Sequence, residues 1–158
     1  MNSTAIYTEK SRMPQWVFWL VGIQAVTMSA MLWKTDGLET FLIVLGSNVL
    51  VVSLLWWAGI RLTFSPKQLR YKGTPFPFKE KQIDWQDAEN ISVIKVDPMG
   101  DFLGWGYKKS AKYGWGHIYD GDYALFVTLK DGRKITFTLK DKEQAMHFLN
   151  ANNIPFTA

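Results

Sequence analysis

The chain has no cysteine and only two histidines among its 158 residues. Without thiols there is no disulfide framework, no thiolate nucleophile, and no zinc or iron–sulfur centre that depends on Cys ligands. His117 and His147 stand apart from each other and from any Cys, so both are expected to be structural or exposed, and neither a metal nor a cofactor is expected. Charge is missing where it matters most: residues 15–33 and 40–60 carry no Asp, Glu, Lys or Arg. Each run approaches the length of about 20 apolar residues that one helix needs to cross a bilayer core.

Those runs are separated only by Lys34-Thr35-Asp36-Gly37-Leu38-Glu39, so the two helices are expected to form an antiparallel hairpin. Residues 1–14 then read as a polar tail, 15–60 as a transmembrane hairpin and 61–158 as one small domain with its own core. A cleaved signal is disfavoured by the length of the run and by the bulky Met28 at the −3 position of a cut after Ala30. Lys10 and Arg12 precede the hairpin, and Arg61, Lys67, Arg70 and Lys72 follow it, against Lys34 alone in the link. The positive-inside rule therefore sets both termini in the cytoplasm, with the chain integral to the cytoplasmic (inner) membrane. Trp16, Trp19, Trp33, Trp56 and Trp57 fall near the ends of the runs, the headgroup level that indoles favour.

Two amides interrupt the runs. Gln24 and Asn48 lie at equal depth when counted from the outer ends, so they are expected to be neighbours whose hydrogen bond fixes the hairpin register. Gly22, Ala25 and Ser29 recur near one face of the first helix and would permit close approach of the second helix or of a partner.

From Arg61 the pattern alternates, as half-buried strands do. Leu62 and Phe64 lead to a Ser65-Pro66 turn, and Leu69 and Tyr71 alternate with Arg70 and Lys72. Phe76 and Phe78 bracket Pro77, which suits a short or edge strand. A further strand runs across Ile91, Val93, Ile94 and Val96. In 123–139, a three-residue loop Lys130-Asp131-Gly132 with a left-handed Gly132 sets Val127 opposite Ile135 and Leu125 opposite Phe137; a two-residue loop would set apolar against polar. Asp141 with Gln144 three residues later caps a helix through Ala145, Met146, Phe148 and Leu149, which Asn152-Asn153 ends.

The order Leu62-Thr63-Phe64, Pro66-Lys67-Gln68-Leu69 and Ile83-Asp84-Trp85-Gln86-Asp87-Ala88, followed by a Gly-Trp-Gly segment, a hairpin and a terminal helix, resembles the bacterial pleckstrin-homology-like (PH-like) domains. Many of these follow a transmembrane hairpin. The resemblance covers residues 61–152 and departs at Ala88, where a larger aliphatic is usual. It implies an α+β fold: a PH-like antiparallel β-sandwich or barrel capped by a C-terminal helix, here after a helical hairpin. It also implies a binding or scaffolding role.

Gly104-Trp105-Gly106 and Gly114-Trp115-Gly116 flank Lys108, Lys109 and Lys112. Neither glycine pair opens a helix or ends in Gly-Lys-Ser/Thr, so a phosphate loop is not expected. The three lysines are the candidate contact for anionic headgroups or a partner; nucleic acid is not expected. Asp84 with Asp87, and Asp120 with Asp122, lack a His or Lys partner in the same motif, so no catalytic residue is assigned and the chain reads as a non-enzyme. The expected function is a membrane-tethered PH-like interaction module at the cytoplasmic face; the alternative is an accessory subunit of a membrane enzyme or transporter that docks through its hairpin.

Overall fold

The computed structural model describes residues 6–74 and 79–158, with backbone alone at 34–36. The chain divides into two compact units, residues 13–58 and residues 1–12 with 59–158.

The first unit is the helical segment α1 (Gln15–Trp57), broken by non-helical dihedrals at Gly37, φ +84° and ψ −172°. A glycine tolerates that positive φ without the Cβ clash that other residues meet, and the break is one residue rather than the six-residue link read from the sequence. The arms, Gln15–Trp33 and Gly37–Trp57, are each long and apolar enough to cross a membrane. Phe18 meets Trp56 at 5.3 Å and Trp33 meets Phe41 at 5.0 Å between ring centroids, so the arms run antiparallel. Only 11% of the first apolar window and none of the second is buried. A helix pair apolar on all sides is stable where its surroundings are also apolar.

In the second unit, β1 (Tyr7–Arg12), β2 (Gly59–Phe64), β3 (Gln68–Thr74) and β4 (Lys81–Asp84) form one antiparallel meander. Residues 7–12, expected from their polarity to be part of a tail, are a strand, paired from Tyr7↔Phe64 to Arg12↔Gly59. Its apolar alternation is absent because the inward positions are Glu9 and Ser11, both buried. The region around Pro77 lies outside the described residues.

A single 3-10 turn (Trp85–Asp87) leads into β5 (Ala88–Lys95), the edge of a five-stranded sheet. Its other members are β6 (Gly106–Ser110), β7 (Gly114–Ile118), β8 (Tyr123–Leu129) and β9 (Lys134–Leu139), in the order β5-β8-β9-β7-β6. The expected all-antiparallel arrangement holds except at β7 and β9, which pair in parallel with His117↔Phe137. The β8–β9 register has Val127↔Ile135 and Leu125↔Phe137, with Gly132 at φ +83°, as the loop argument required.

Leu62, Phe64 and Leu69 of the first sheet and Leu125, Val127 and Phe137 of the second are fully buried. Each such side chain contributes about 1.5–3 kcal/mol. The opposite face of the second sheet is covered as well: the short helix α2 (Pro98–Phe102), capped by Asp97, brings Phe102 into a cluster with Val96, Ile118 and Ala124. Thr136 and Thr138, polar by alternation, are therefore wholly buried. Their hydroxyls are satisfied by the carbonyls of Tyr113 and His117. The helix α3 (Lys142–Ala151) starts where expected, Asp141 Oδ1 accepting from Gln144 N at 2.9 Å. Its Phe148 packs on Phe64 and Tyr7. The chain end returns to β5, Thr157 bridging to Ser92 in parallel.

Candidate functional site

The inner face of the β6–β7–β9 end carries a run of rings fixed by strand alternation. Tyr107 and Lys109 of β6 lie opposite His117 and Trp115 of β7. Residues directly opposite share a face, so all four project the same way. Tyr107 stacks on Trp115 at 4.8 Å and 9°, and leans on His117 at 4.8 Å. His117 stacks on Phe137 at 5.4 Å and 7°, while Tyr71 from β3 closes on Phe137 at 4.8 Å. Glycine makes this spacing possible: a Cβ at Gly114, whose φ is +70°, would collide with the Lys134 carbonyl.

Two adjoining cavities open beside the run. One, of ≈ 530 Å³, is lined by Tyr71, Lys81, Tyr107, Trp115, His117, Arg133, Lys134 and Ile135. The other, of ≈ 610 Å³, shares Tyr71, Lys81, Arg133 and Ile135 and adds Asp87, Lys130 and Asp131. Together they form a cleft between β3 and β4 of the first sheet and β7 and β9 of the second. Tyr107 and Trp115 remain 45% and 44% exposed, so the first sheet does not cover this part of the inner face.

His117 is 2% exposed and its Nδ1 has no hydrogen-bond partner. An orphan buried nitrogen costs about 1–3 kcal/mol. Burial, reinforced by the nearby Lys81 ammonium, lowers its pKa to about 4, so the imidazole is neutral at pH 7. Tyr71 and Tyr107 are both pushed above the usual phenol range by burial, and Tyr71 is raised further by its neighbour Tyr107 and drawn back by Arg133. Both phenols are thus protonated donors. Arg133 Nε donates to Asp131 Oδ2 at 2.7 Å, which leaves its terminal nitrogens for a second anion. Cations, phenols and one neutral imidazole are groups that bind and orient an anion.

The candidate lysines are all exposed but do not share a surface. Lys108 and Lys109 are successive residues of β6 and project from opposite faces. Lys109 Nζ lies 5.8 Å from the Trp115 ring centroid, on the cleft's face. Lys112 Nζ lies 4.6 Å from the Tyr113 ring, which stacks on Phe102 on the other face. In the hairpin, Gln24 Nε2 donates to Met28 Sδ at 3.8 Å and Asn48 Nδ2 to the Val44 carbonyl at 2.8 Å, so each amide is used within its own arm. Ala25 and Ser29 are the buried small residues, whereas a Cβ at Gly22 would meet nothing within 4 Å. His147 is exposed on α3.

The cleft was not legible in the sequence, because its residues come from six strands and share no motif. The one local signal was aromatic alternation across Tyr107, Trp115 and His117. Among the described residues no three His, Asp or Glu gather as a metal site. No protein-family model matches the chain, and a search of curated proteins finds no match.

Proposed function

We propose that this chain is a membrane-tethered, non-enzymatic interaction module of PH-like architecture, held at the cytoplasmic face of the inner membrane with both termini in the cytoplasm. The observation that carries the reading is the pairing of Arg12 with Gly59: the apolar hairpin leaves and re-enters one sheet through adjacent strands. Such a domain cannot form unless residues 7–12 and 59–158 share one side of the membrane. The basic residues on both flanks favour the cytoplasm for that side. Two sheets with a terminal helix support the PH-like architecture, and the cationic, aromatic cleft supports binding as the activity. A compartment-sensitive reporter fused after Ala158, together with resistance of the chain to alkaline extraction, tests the reading. A periplasmic or luminal signal, or release into the soluble fraction, overturns it.

The second reading, an accessory subunit docked through its hairpin, is favoured by Gly22 and Gly46. Neither glycine has an atom within 4 Å of where its Cβ would lie. Each leaves a shallow notch on an apolar helix that a third helix can approach closely. Exchanging the hairpin for an unrelated one while keeping residues 7–12 and 59–158 separates the readings: the tether reading tolerates the exchange and the docking reading does not.

A further inference from the structure

The two halves of the cleft differ in charge. The half that reaches Asp87 and Asp131 balances carboxylates against Lys81, Lys130 and Arg133. The half that reaches Tyr107 and His117 is lined by Lys81, Arg133 and Lys134 and by no carboxylate. Among the described residues Lys81 and Lys134 make no ion pair. Tyr71 is 6% exposed and lines this half. The orphan His117 nitrogen is costly unless a polar group answers it, and of the three exposed cations only Arg133 has a carboxylate partner, Asp131, which leaves net positive charge for an anion.

We infer that this half of the cleft is a binding site for a phosphomonoester, whose dianionic phosphate is held by Lys81, Arg133 and Lys134 with hydroxyl donation from Tyr71 and Tyr107. A carboxylate supplies one charge and two oxygens, too few for three cations and two phenols. A phosphate monoester supplies close to two charges and three acceptor oxygens. The cavity of ≈ 530 Å³ exceeds a phosphate group, and the remainder is walled by Trp115 and Ile135, which suits the apolar side of the esterified alcohol. His117, neutral at the wall, adds a polar contact without a fourth charge. The same chemistry is offered by a soluble phosphomonoester and by a lipid with a phosphomonoester headgroup. The inference deepens the reading above and rests on it only for the side of the membrane on which the domain lies.

The test uses the full chain in phosphatidylcholine nanodiscs, titrated calorimetrically with phenyl phosphate at pH 8, where the dianion dominates. Saturable binding is expected. Lys81→Gln, Arg133→Gln and Lys134→Gln combined should weaken it by at least about tenfold, since each lost charge-assisted contact counts. All three side chains are exposed, so the variant keeps its core. Tyr71→Phe, which retains the ring contact with Phe137, should weaken it by about threefold or more. Lys108→Gln and Lys112→Gln combined, on the face away from the cleft, should leave it unchanged, and benzoate should bind at least about tenfold more weakly. Nanodiscs containing phosphatidic acid identify the source: suppression of phenyl phosphate binding assigns the headgroup, and unaltered binding assigns a soluble ester. Absence of saturable heat, undiminished affinity in the Lys81, Arg133 and Lys134 variant, or equal affinity for benzoate overturns the site. None of these bears on alkaline extraction, so the tether stands or falls separately.

Discussion

Arg12 faces Gly59 across the β1–β2 ladder, and the entire helical hairpin is the connection between them. A Cβ at Gly59 would stand 2.7 Å from the Ser11 carbonyl oxygen, so the two strands close tightly where the helices leave. The hairpin is thus an insertion in a sheet, and the N-terminal strand is as much part of the domain as the residues after it.

A domain cut to residues 61–158 therefore lacks β1 and the start of β2. It uncovers Leu62 and Phe64, which are fully buried in the whole chain, and removes the Tyr7 ring that lies 5.3 Å from Phe64. Exposing two such side chains costs about 3–6 kcal/mol, a large part of the stability of a small domain. Residues 6–12 joined to 59–158 by an Asn-Gly turn are expected to give a soluble chain with a cooperative thermal transition, and 61–158 alone to give none. Cooperative unfolding of the shorter chain at a similar midpoint would show that β1 is dispensable.

The glycines of the second sheet are expected to rank by space as well as by φ. Gly132 and Gly114 both have positive φ, but a Cβ at Gly132 meets nothing whereas one at Gly114 runs into the Lys134 backbone. Gly132→Ala should cost about 1–2 kcal/mol, the left-handed penalty alone. Gly114→Ala should cost more than that, or prevent folding. Denaturant titration checks the order, and equal losses would mean that β7 and β9 can separate freely.

Acid affects two buried groups in opposite senses. His117 has a folded pKa below its free value, so the stability its neutral form contributes is present above about 6.5 and is lost as pH falls toward about 4, on the order of 3 kcal/mol in all. Glu9 is buried, which raises its pKa despite hydrogen bonds from Tyr7 and the Asp141 amide. Its contribution is complete below its unfolded pKa and is lost as pH rises through the folded one. His117→Phe, which keeps a ring against Phe137, should flatten the acid limb of a stability–pH curve. Glu9→Gln should raise stability at pH 7 but not at pH 4. The reverse pattern would show that neither burial governs the titration.

How far the sequence can be read follows from where the signal is local. The β8–β9 register was legible because a one-residue slip would turn Val127 and Leu125 to the wrong face. The α3 start was legible because Asp141 and Gln144 are three residues apart. β1 was not, since its inward residues are Glu9 and Ser11, and Glu9 finds its partners in the Tyr7 hydroxyl and the distant Asp141 amide, which no local pattern announces. The parallel β7–β9 contact and the burial of Thr136 and Thr138 were also hidden. They arise from a strand returning beside a distant one and from α2 closing over the sheet, neither of which leaves a periodic trace. The cleft was hidden for the same reason.

Within the hairpin, the buried residues rather than the amides should control packing. Ala25 and Ser29 are inside, and Ser29 Oγ has no partner there. Ala25→Leu and Ser29→Leu are expected to part the arms, whereas Gly22→Leu enters open space and Ser29→Ala is neutral or mildly stabilising. Oxidative crosslinking between cysteines substituted for Trp33 and Phe41, near the turn, compared across these variants in membranes, reads the separation. Equal crosslinking in all four would place the seam on another face.

The lysine segment admits a last prediction, because its geometry suggests a role besides headgroup contact. β6 is the outer strand of the second sheet, with one side of its backbone unpaired among the described residues. Long charged side chains on such a strand oppose edge-to-edge pairing between molecules, and Lys108 and Lys109 lie one on each face of it. Replacing both with valine raises strand propensity while removing the charge, so the full chain in detergent is expected to shift toward dimers and larger species. Replacement with glutamine keeps a polar, flexible side chain and should shift it far less. If the lysines instead serve anionic headgroups, the glutamine variant should lose protection from hydrogen exchange across 106–118 in anionic nanodiscs at low salt. That difference should shrink as the Debye length falls below about 10 Å. Self-association of the valine variant with unchanged exchange in the glutamine variant assigns edge protection, and the opposite pair of results assigns the headgroups.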